Sequence, residues 1–247
     1  MDASRDLRGH RALITGAGRR LGRAFALALA ARGADVAIHY HSSREGAQEV
    51  ADQAAAMEVR SAIVQADLTR PDQADGIVQA AADSLGPIDW LVNSASLFEP
   101  VSAPDMSLDD WARHMRVNLT SPVFLIRALA RHLDGRNGTA VNLLDWRALR
   151  PGPDHFPYTV SKAGLAAATQ ALARAYAPHL RVNGLALGAI LPPSDGRKGK
   201  GPGPIQDVPA DRWGTVDEAI DGLIFLLGGP AYTTGQILFV DGGRHLV

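Results

Sequence analysis

The 247-residue chain contains no cysteine. That excludes disulfides, a thiol nucleophile and thiolate metal sites. No apolar run approaches the ~20 residues that span a bilayer. The polar start, Met1–His10, lacks the apolar centre of a secretory signal. Neither sign of charge is in excess: 25 Lys and Arg face 26 Asp and Glu, so no strong field favours nucleic acid or an anionic membrane surface. The expectation is a cytoplasmic protein whose partner is a small molecule, with neither nucleic acid nor membrane involved.

The length suits one large α/β domain that buries a full core. Apolar strands alternate with helical stretches throughout. Strands are expected at Arg11–Thr15, Asp35–Tyr40, Val59–Ala66, Ile88–Val92, Thr139–Leu144, Leu180–Leu187 and Gln236–Val240. Helices are expected at Arg23–Arg32, Arg44–Met57, from Pro71 to about Gly86, Leu108–Leu133, Tyr158–Tyr176 and Thr215–Leu227. Continuous rather than alternating apolar strands indicate a mostly parallel sheet covered on both faces. The fold class is therefore α/β: a doubly wound sheet of about seven strands, a Rossmann fold, in a single domain over residues 1–247. Such sheets bind ligands at the carboxyl ends of their strands. Gly16–Gly22, Tyr40–Ser43, Asp67, Asn93–Ser96, Asp145 and Gly188 all lie at such ends, which argues for one shared site.

The glycines of Gly16-Ala-Gly18-Arg19-Arg20-Leu21-Gly22 follow the first strand and open a helix. There they let backbone amides approach a pyrophosphate, and the helix N-terminus favours its charge. A carboxylate near the end of the second strand would hold an adenosine ribose and repel a 2′-phosphate. This chain has His39-Tyr40-His41-Ser42-Ser43-Arg44 instead. Hydroxyls and a guanidinium suit a phosphate, so NADPH is expected over NADH, with Ser42, Ser43 and Arg44 as candidates at the phosphate. His39 and His41 share a strand face, but no third ligand lies at metal spacing nearby. No metal is assigned.

Tyr158 and Lys162 stand four apart on one helical face, and Asp145 precedes Tyr158 by thirteen positions at the end of a strand. A phenol beside an ammonium, facing a carboxyl group across a loop, is a proton-donating arrangement. A lysine charge next to a tyrosine favours the phenolate and brings its proton within reach near neutrality. An ordinary helical surface pair is the alternative on spacing alone.

Taken together, these segments resemble the short-chain dehydrogenase/reductase family. The likeness rests on Thr15-Gly16…Gly22, Asp67-Leu68, the segment 93–95, Asn118, Tyr158…Lys162, Arg181-Val-Asn183-Gly184 and Val240-Asp241-Gly242-Gly243. It implies that Tyr158 is the acid/base, that Lys162 binds the nicotinamide ribose and assists the phenol, and that Asn118 supports Lys162 through water. It also implies a cofactor-lining set of Gly16, Arg20, Leu21, Gly22, Ser42, Ser43, Asp67, Leu68, Ser94, Ala95, Gly188 and Ile190, with Tyr158 and Lys162.

The departures from the family pattern resemble one branch, the pteridine and dihydromonapterin reductases. Asp145 stands where the family usually has serine, Arg20 replaces the central glycine, and Ser94 and Ser96 replace an asparagine and a glycine. Thr15…Arg20-Leu-Gly22, His39-Tyr-His41, Val64-Gln-Ala-Asp67, Ala95-Ser96…Phe98, Pro122…Phe124-Leu-Ile126 and Asp241-Gly-Gly-Arg-His-Leu246 are similar to that branch. A carboxyl group held by Tyr158 suits proton delivery to the nitrogen of a C=N bond. Phe98 offers a flat face for a bicyclic pterin, Ser96 a hydrogen bond to its amino-pyrimidine edge, and Arg20 a reach to pyrophosphate and substrate. Substrate contacts are thus expected from Arg20, Ser96, Phe98, Asp145 and Tyr158. A carbonyl reductase, and a cofactor-sensing protein without turnover, stay open as alternatives.

Leu191 to Asp211 is rich in proline and glycine and carries Arg197, Lys198 and Lys200. It has neither helical nor strand period, follows the sixth strand, and is expected to act as a lid over substrate. The long helices at 108–133 and 158–176 carry Ala and Leu beyond one core-facing stripe. By resemblance they build the interface of a homotetramer.

Overall fold

The computed structural model describes residues 6–191 and 208–247. Seven strands form one sheet: β1 (Arg11–Ile14), β2 (Asp35–Tyr40), β3 (Ser61–Gln65), β4 (Trp90–Asn93), β5 (Gly138–Asp145), β6 (Leu180–Leu187) and β7 (Ile237–Val240). Their order is β3-β2-β1-β4-β5-β6-β7, and every pairing is parallel. The order reverses between β1 and β4, which opens a crevice above their carboxyl ends. The central strands are buried on both faces, as the runs Ala12–Ile14 and Trp90–Asn93 show. That explains why they read as continuous apolar segments.

Helices α1 (Arg20–Ala30), α2 (Arg44–Ala55) and α7 (Val216–Gly228) cover one face, packing Phe25, Leu29, Val50 and Leu223 against the sheet. The other face is covered by α3 (Ala74–Leu85), α5 (Ser121–Leu133) and α6 (Phe156–Tyr176), through Ile77, Leu85, Leu125, Leu129 and Ala173. Truncating a fully buried leucine such as Leu91 or Leu125 to alanine should cost about 2–5 kcal/mol. Arg181, part of the family-like Arg-Val-Asn-Gly segment, serves the fold: its guanidinium donates to the carbonyls of Leu226, Leu227 and Thr233 near the end of α7, where cations are favoured.

Several expected boundaries shift by a few residues, and two of the differences bear on the site. Helix α1 starts at Arg20 rather than Arg23, so the glycine loop runs directly into its first turn. The region 108–133 is two helices, α4 (Leu108–Met115) and α5, joined by a π turn over Arg116–Thr120. Pro122 has no N–H to close an α-helical bond onto the Asn118 carbonyl. The Ser121 N–H instead reaches back five residues to Arg116. Such single π turns often mark functional positions in helices, and Asn118 lies inside this one.

Candidate active site

A cavity of about 900 Å³ lies over the carboxyl ends of the strands and runs from the glycine loop to Asp145. It is at the upper end of the size common for cofactor pockets. Its wall includes Gly16, Arg20, Leu21 and Gly22 after β1, Ser42 and Ser43 after β2, and Asp67 and Leu68 after β3. Ser94, Ala95, Ser96 and Phe98 follow β4, Asp145 ends β5, Gly188 and Ile190 follow β6, and Tyr158 and Lys162 project from α6. Asn118 stands apart: it is fully buried behind the wall.

The glycine loop is tight. A Cβ on Gly16, where φ is +66°, would lie 2.9 Å from the Ala95 Cα, and one on Gly22 would lie 2.4 Å from the Gly16 carbonyl oxygen. The obstacles are backbone or neighbouring Cα atoms, so neither position accepts a side chain without moving the loop. Thr15 Oγ1 ties the loop after β4 to it by accepting from the Ser94 and Ala95 amides, both at 3.0 Å. The N-terminus of α1 has no side-chain cap and no acid in its first turn, which leaves its field for an anion. Arg20 adopts φ +52°, a left-handed conformation that glycine takes readily and other residues seldom do. It therefore occupies the backbone conformation natural to the glycine it replaces.

His39 is 1 % exposed and braces this loop. Its Nδ1 accepts the Gly16 N–H at 3.2 Å, which leaves Nε2–H to donate to the Ala66 carbonyl at 3.3 Å. Burial lowers its pKa to about 4, so the ring is neutral near pH 7. At the end of β2, Ser42 and Ser43 reach the cavity wall, and so do Arg19 and His41. Arg44 does not. Its guanidinium donates to Tyr40 Oη at 3.4 Å, and Arg19 is the cation on the wall beside Arg20. With two hydroxyls and no acid at this strand end, and Arg19 and Arg20 of the glycine loop on the same cavity wall, the residues fit NADPH. Asp67 is occupied locally, accepting from Thr69 N and Thr69 Oγ1 at 2.8 and 2.7 Å. Those bonds hold its carboxyl below the usual range.

At the other end of the cavity, Tyr158 Oη donates to Asp145 Oδ2 at 2.8 Å. Asp145 Oδ1 accepts from Arg147 N at 2.9 Å, so both oxygens are fixed. Asp145 completes β5 in register with Leu187 of β6, and Tyr158 lies in the first turn of α6. Pro157 in the first turn of α6 gives up only an N–H that has no helical acceptor. Lys162 Nζ donates to the Leu143 carbonyl at 2.7 Å and lies 5.8 Å from the Tyr158 ring centre. The expectation of a phenol pulled toward neutrality by the lysine charge is not met. Desolvation and the facing Asp145 push the Tyr158 pKa well above its usual value. Desolvation also raises Asp145, against the hydrogen bonds from Arg147 and Tyr158, and lowers Lys162 to about 8. Spacing revealed the lysine but not its direction: the ammonium is spent on a strand carbonyl.

Asn118 organises the loop after β4. Its Oδ1 accepts from Leu97 N at 2.8 Å and Ser96 Oγ at 3.1 Å, while Nδ2 donates to Leu97 O at 2.9 Å and Ser161 Oγ at 3.1 Å. Ser96, expected at a substrate edge, lines the cavity with its hydroxyl engaged by Asn118. Phe98 is 37 % exposed and is no core residue. Its ring stacks on His155 at 4.0 Å and 10° and meets Tyr158 edge-on at 4.7 Å and 83°. His155 stacks on Phe98, whose ring lies on the cavity wall beside Tyr158.

The sequence reading gave no site role to His155, Trp146, Arg19 or Arg244 and weighed Arg147 only as a salt-bridge partner of Asp145; all lie on the cavity wall. His155 and Trp146 lie in the segment between Asp145 and Tyr158, which has no periodicity to orient them. Arg19 was visible in the glycine loop beside Arg20. Arg244 belongs to the branch-like closing segment Asp241–Leu246, but nothing in that segment indicates that it reaches the site. The segment expected to form a lid falls mostly on residues 192–207, with Arg197, Lys198 and Lys200, and lies outside the described residues.

The sequence pattern of the family described as enoyl-(acyl carrier protein) reductase matches residues 16–245. An uncharacterized oxidoreductase of Escherichia coli, YohF, is 33 % identical over 241 residues, spanning 95 % of each chain. A 3-oxoacyl-[acyl-carrier-protein] reductase of Synechocystis is 32 % identical over 237 residues, 94 % of this chain and 95 % of its own. Among solved structures, the FolM alternative dihydrofolate reductase 1 of Brucella canis, complexed with NADP, superposes with a TM-score of 0.92 at 34 % identity. That match covers 98 % of this chain and 96 % of the other.

Proposed function

The chain belongs to the short-chain dehydrogenase/reductase family, and from that premise we propose that it is an NADPH-dependent reductase of a dihydropterin-like substrate. The observation that carries the proposal is the 2.8 Å bond from Tyr158 Oη to Asp145 Oδ2 on the cavity wall. Bound NADPH supplies a hydride to the substrate carbon. The chain supplies the proton. Burial raises both acids of the couple, and the phenolic proton that Tyr158 donates to Asp145 Oδ2 is the one the couple passes to a basic acceptor such as the nitrogen of a C=N bond. Because the two groups share a proton, they titrate as a pair. Lys162, still an ammonium at pH 7, balances negative charge left on the couple. Phe98 positions a flat ring beside Tyr158, and the NADP-bound dihydrofolate reductase structure supports both cofactor and substrate class.

A carbonyl reductase is the second reading, favoured by the similarity to the 3-oxoacyl reductase. In it Asp145 serves to tune Tyr158, and the acceptor is a ketone or aldehyde oxygen. NADPH oxidation with dihydrobiopterin, dihydrofolate and a panel of aldehydes and ketones separates the two. Faster turnover of dihydropterins is expected; turnover of carbonyl compounds alone would move the assignment to the second reading. Either reading includes the homotetramer, for which light scattering of the eluting protein is the check.

A further inference from the structure

Two short turns meet on the cavity wall: Trp146–Ala148, directly after Asp145, and Arg244–Leu246, after β7. The Arg244 guanidinium carbon lies 4.4 Å over the centre of the Trp146 ring. That of Arg147 lies 5.1 Å from the same centre. Tryptophan, Arg147 and Arg244 all line the cavity, yet the two arginines differ in one respect. Arg147 Nη1 is paired with Asp154 Oδ1 at 2.7 Å. The Arg244 guanidinium has no hydrogen-bond or ion-pair partner among the described residues.

The nearby acids are already committed. Asp241 accepts from Gly243 N at 3.0 Å, and from His245 N and His245 Nδ1, each at 2.8 Å. Asp154 is shared by Arg147 and His155, and Asp145 by Tyr158 and Arg147 N. The turn that carries Arg244 is also rigid for its length, because His245 stacks on Phe239 at 3.9 Å while Asp241 ties its backbone. A guanidinium held half-buried on an indole face, beside the reducing groups and with no counter-charge among the described residues, is prepared for an anion.

We infer that Arg244, presented on Trp146, forms a subsite for a carboxylate carried by the substrate away from its reacting bond. One guanidinium balances a monoanion, and its planar fork matches a carboxylate in two bonds. The enzyme would therefore prefer acidic members of its substrate class. This rests on Tyr158–Asp145 being the reducing end of the cavity, but not on which bond is reduced there.

The test is Arg244→Met, which keeps an unbranched chain to lie on Trp146 and removes the charge, with Arg244→Lys as the conservative partner. Steady-state kinetics with saturating NADPH compare dihydrofolate with the uncharged dihydrobiopterin, and para-carboxybenzaldehyde with its methyl ester. In Arg244→Met the KM of each acidic member should rise about 10- to 100-fold, the span a charge-assisted hydrogen bond supports. Its kcat should stay within about twofold, the neutral members should not change, and Arg244→Lys should recover part of the loss. Equal shifts for the acidic and neutral members of each pair would overturn the inference. If only the aldehydes are turned over and they split as described, the dihydropterin reading fails while the subsite stands. Calorimetry of benzoate binding to the NADPH-loaded protein decides without turnover: weaker binding to Arg244→Met is expected, and equal affinity overturns the inference.

Discussion

Acidifying the protein places a proton on a histidine that has nowhere to put it. His39 Nδ1 faces the Gly16 N–H and Nε2–H faces the Ala66 carbonyl, so the neutral ring satisfies both neighbours. A protonated ring would turn Nδ1 into a donor against another donor. Burial lowers the pKa from 6.5 to about 4, although the Ala66 carbonyl pulls the other way. The unfolded chain thus takes up the proton before the folded one. Stability is complete above pH 6.5 and is withdrawn as the pH falls from there toward 4. At 1.36 kcal/mol for each unit, the loss reaches about 2 kcal/mol at pH 5 and about 3 kcal/mol at pH 4. Urea denaturation of the wild type and His39→Asn at about pH 7 and pH 5 isolates it. Asparagine keeps an acceptor near the Nδ1 position and does not titrate. The wild type should lose about 2 kcal/mol more than the variant over that interval, and its NADPH Kd should rise as the Gly16 loop loosens. Parallel losses in the two proteins would refute the reasoning.

Ser42→Asp should put a carboxylate where a 2′-phosphate is expected, and the ratio of kcat/KM for NADPH over NADH should fall by at least about tenfold. Asn118→Ala removes a side chain making four buried or half-buried bonds. It should cost about 2–4 kcal/mol in urea denaturation and lower kcat, because the loop carrying Ser96 and Phe98 loses its anchor. Tyr158→Phe should reduce kcat by about 100-fold or more while NADPH affinity, measured by fluorescence titration, changes little.

Elements whose signal is local were legible in the sequence. The parallel strands are continuous apolar runs, and their order of alternation with helices implied the sheet and the side on which ligands bind. The glycine loop, Ser42, Ser43, Asp145, Tyr158 and Lys162, singled out by strand ends and helical spacing, and Phe98, singled out by resemblance, all lie on one cavity wall. What escaped depends on contacts between distant segments. The π turn around Asn118 follows from a missing Pro122 N–H in competition with helix continuity, and an Ala/Leu-rich stretch does not announce it. His39 was read as part of the cofactor-side segment and set aside as a metal ligand, and its bracing role escaped because its partners are backbone groups of two other loops. The direction of the Tyr158 shift depends on desolvation, which spacing cannot measure. The Arg244–Trp146 stack joins β7 to β5 across an intervening strand.

The most direct measurement of the central claim is Asp145→Ser assayed on two acceptors, dihydrobiopterin and an aldehyde, with NADPH affinity measured alongside. If the Tyr158–Asp145 couple delivers a proton to nitrogen, reduction of the dihydropterin should fall by about 100-fold or more. Aldehyde reduction should persist or improve, and NADPH should bind as before. Equal losses on both acceptors, or undiminished dihydropterin reduction, would contradict the account.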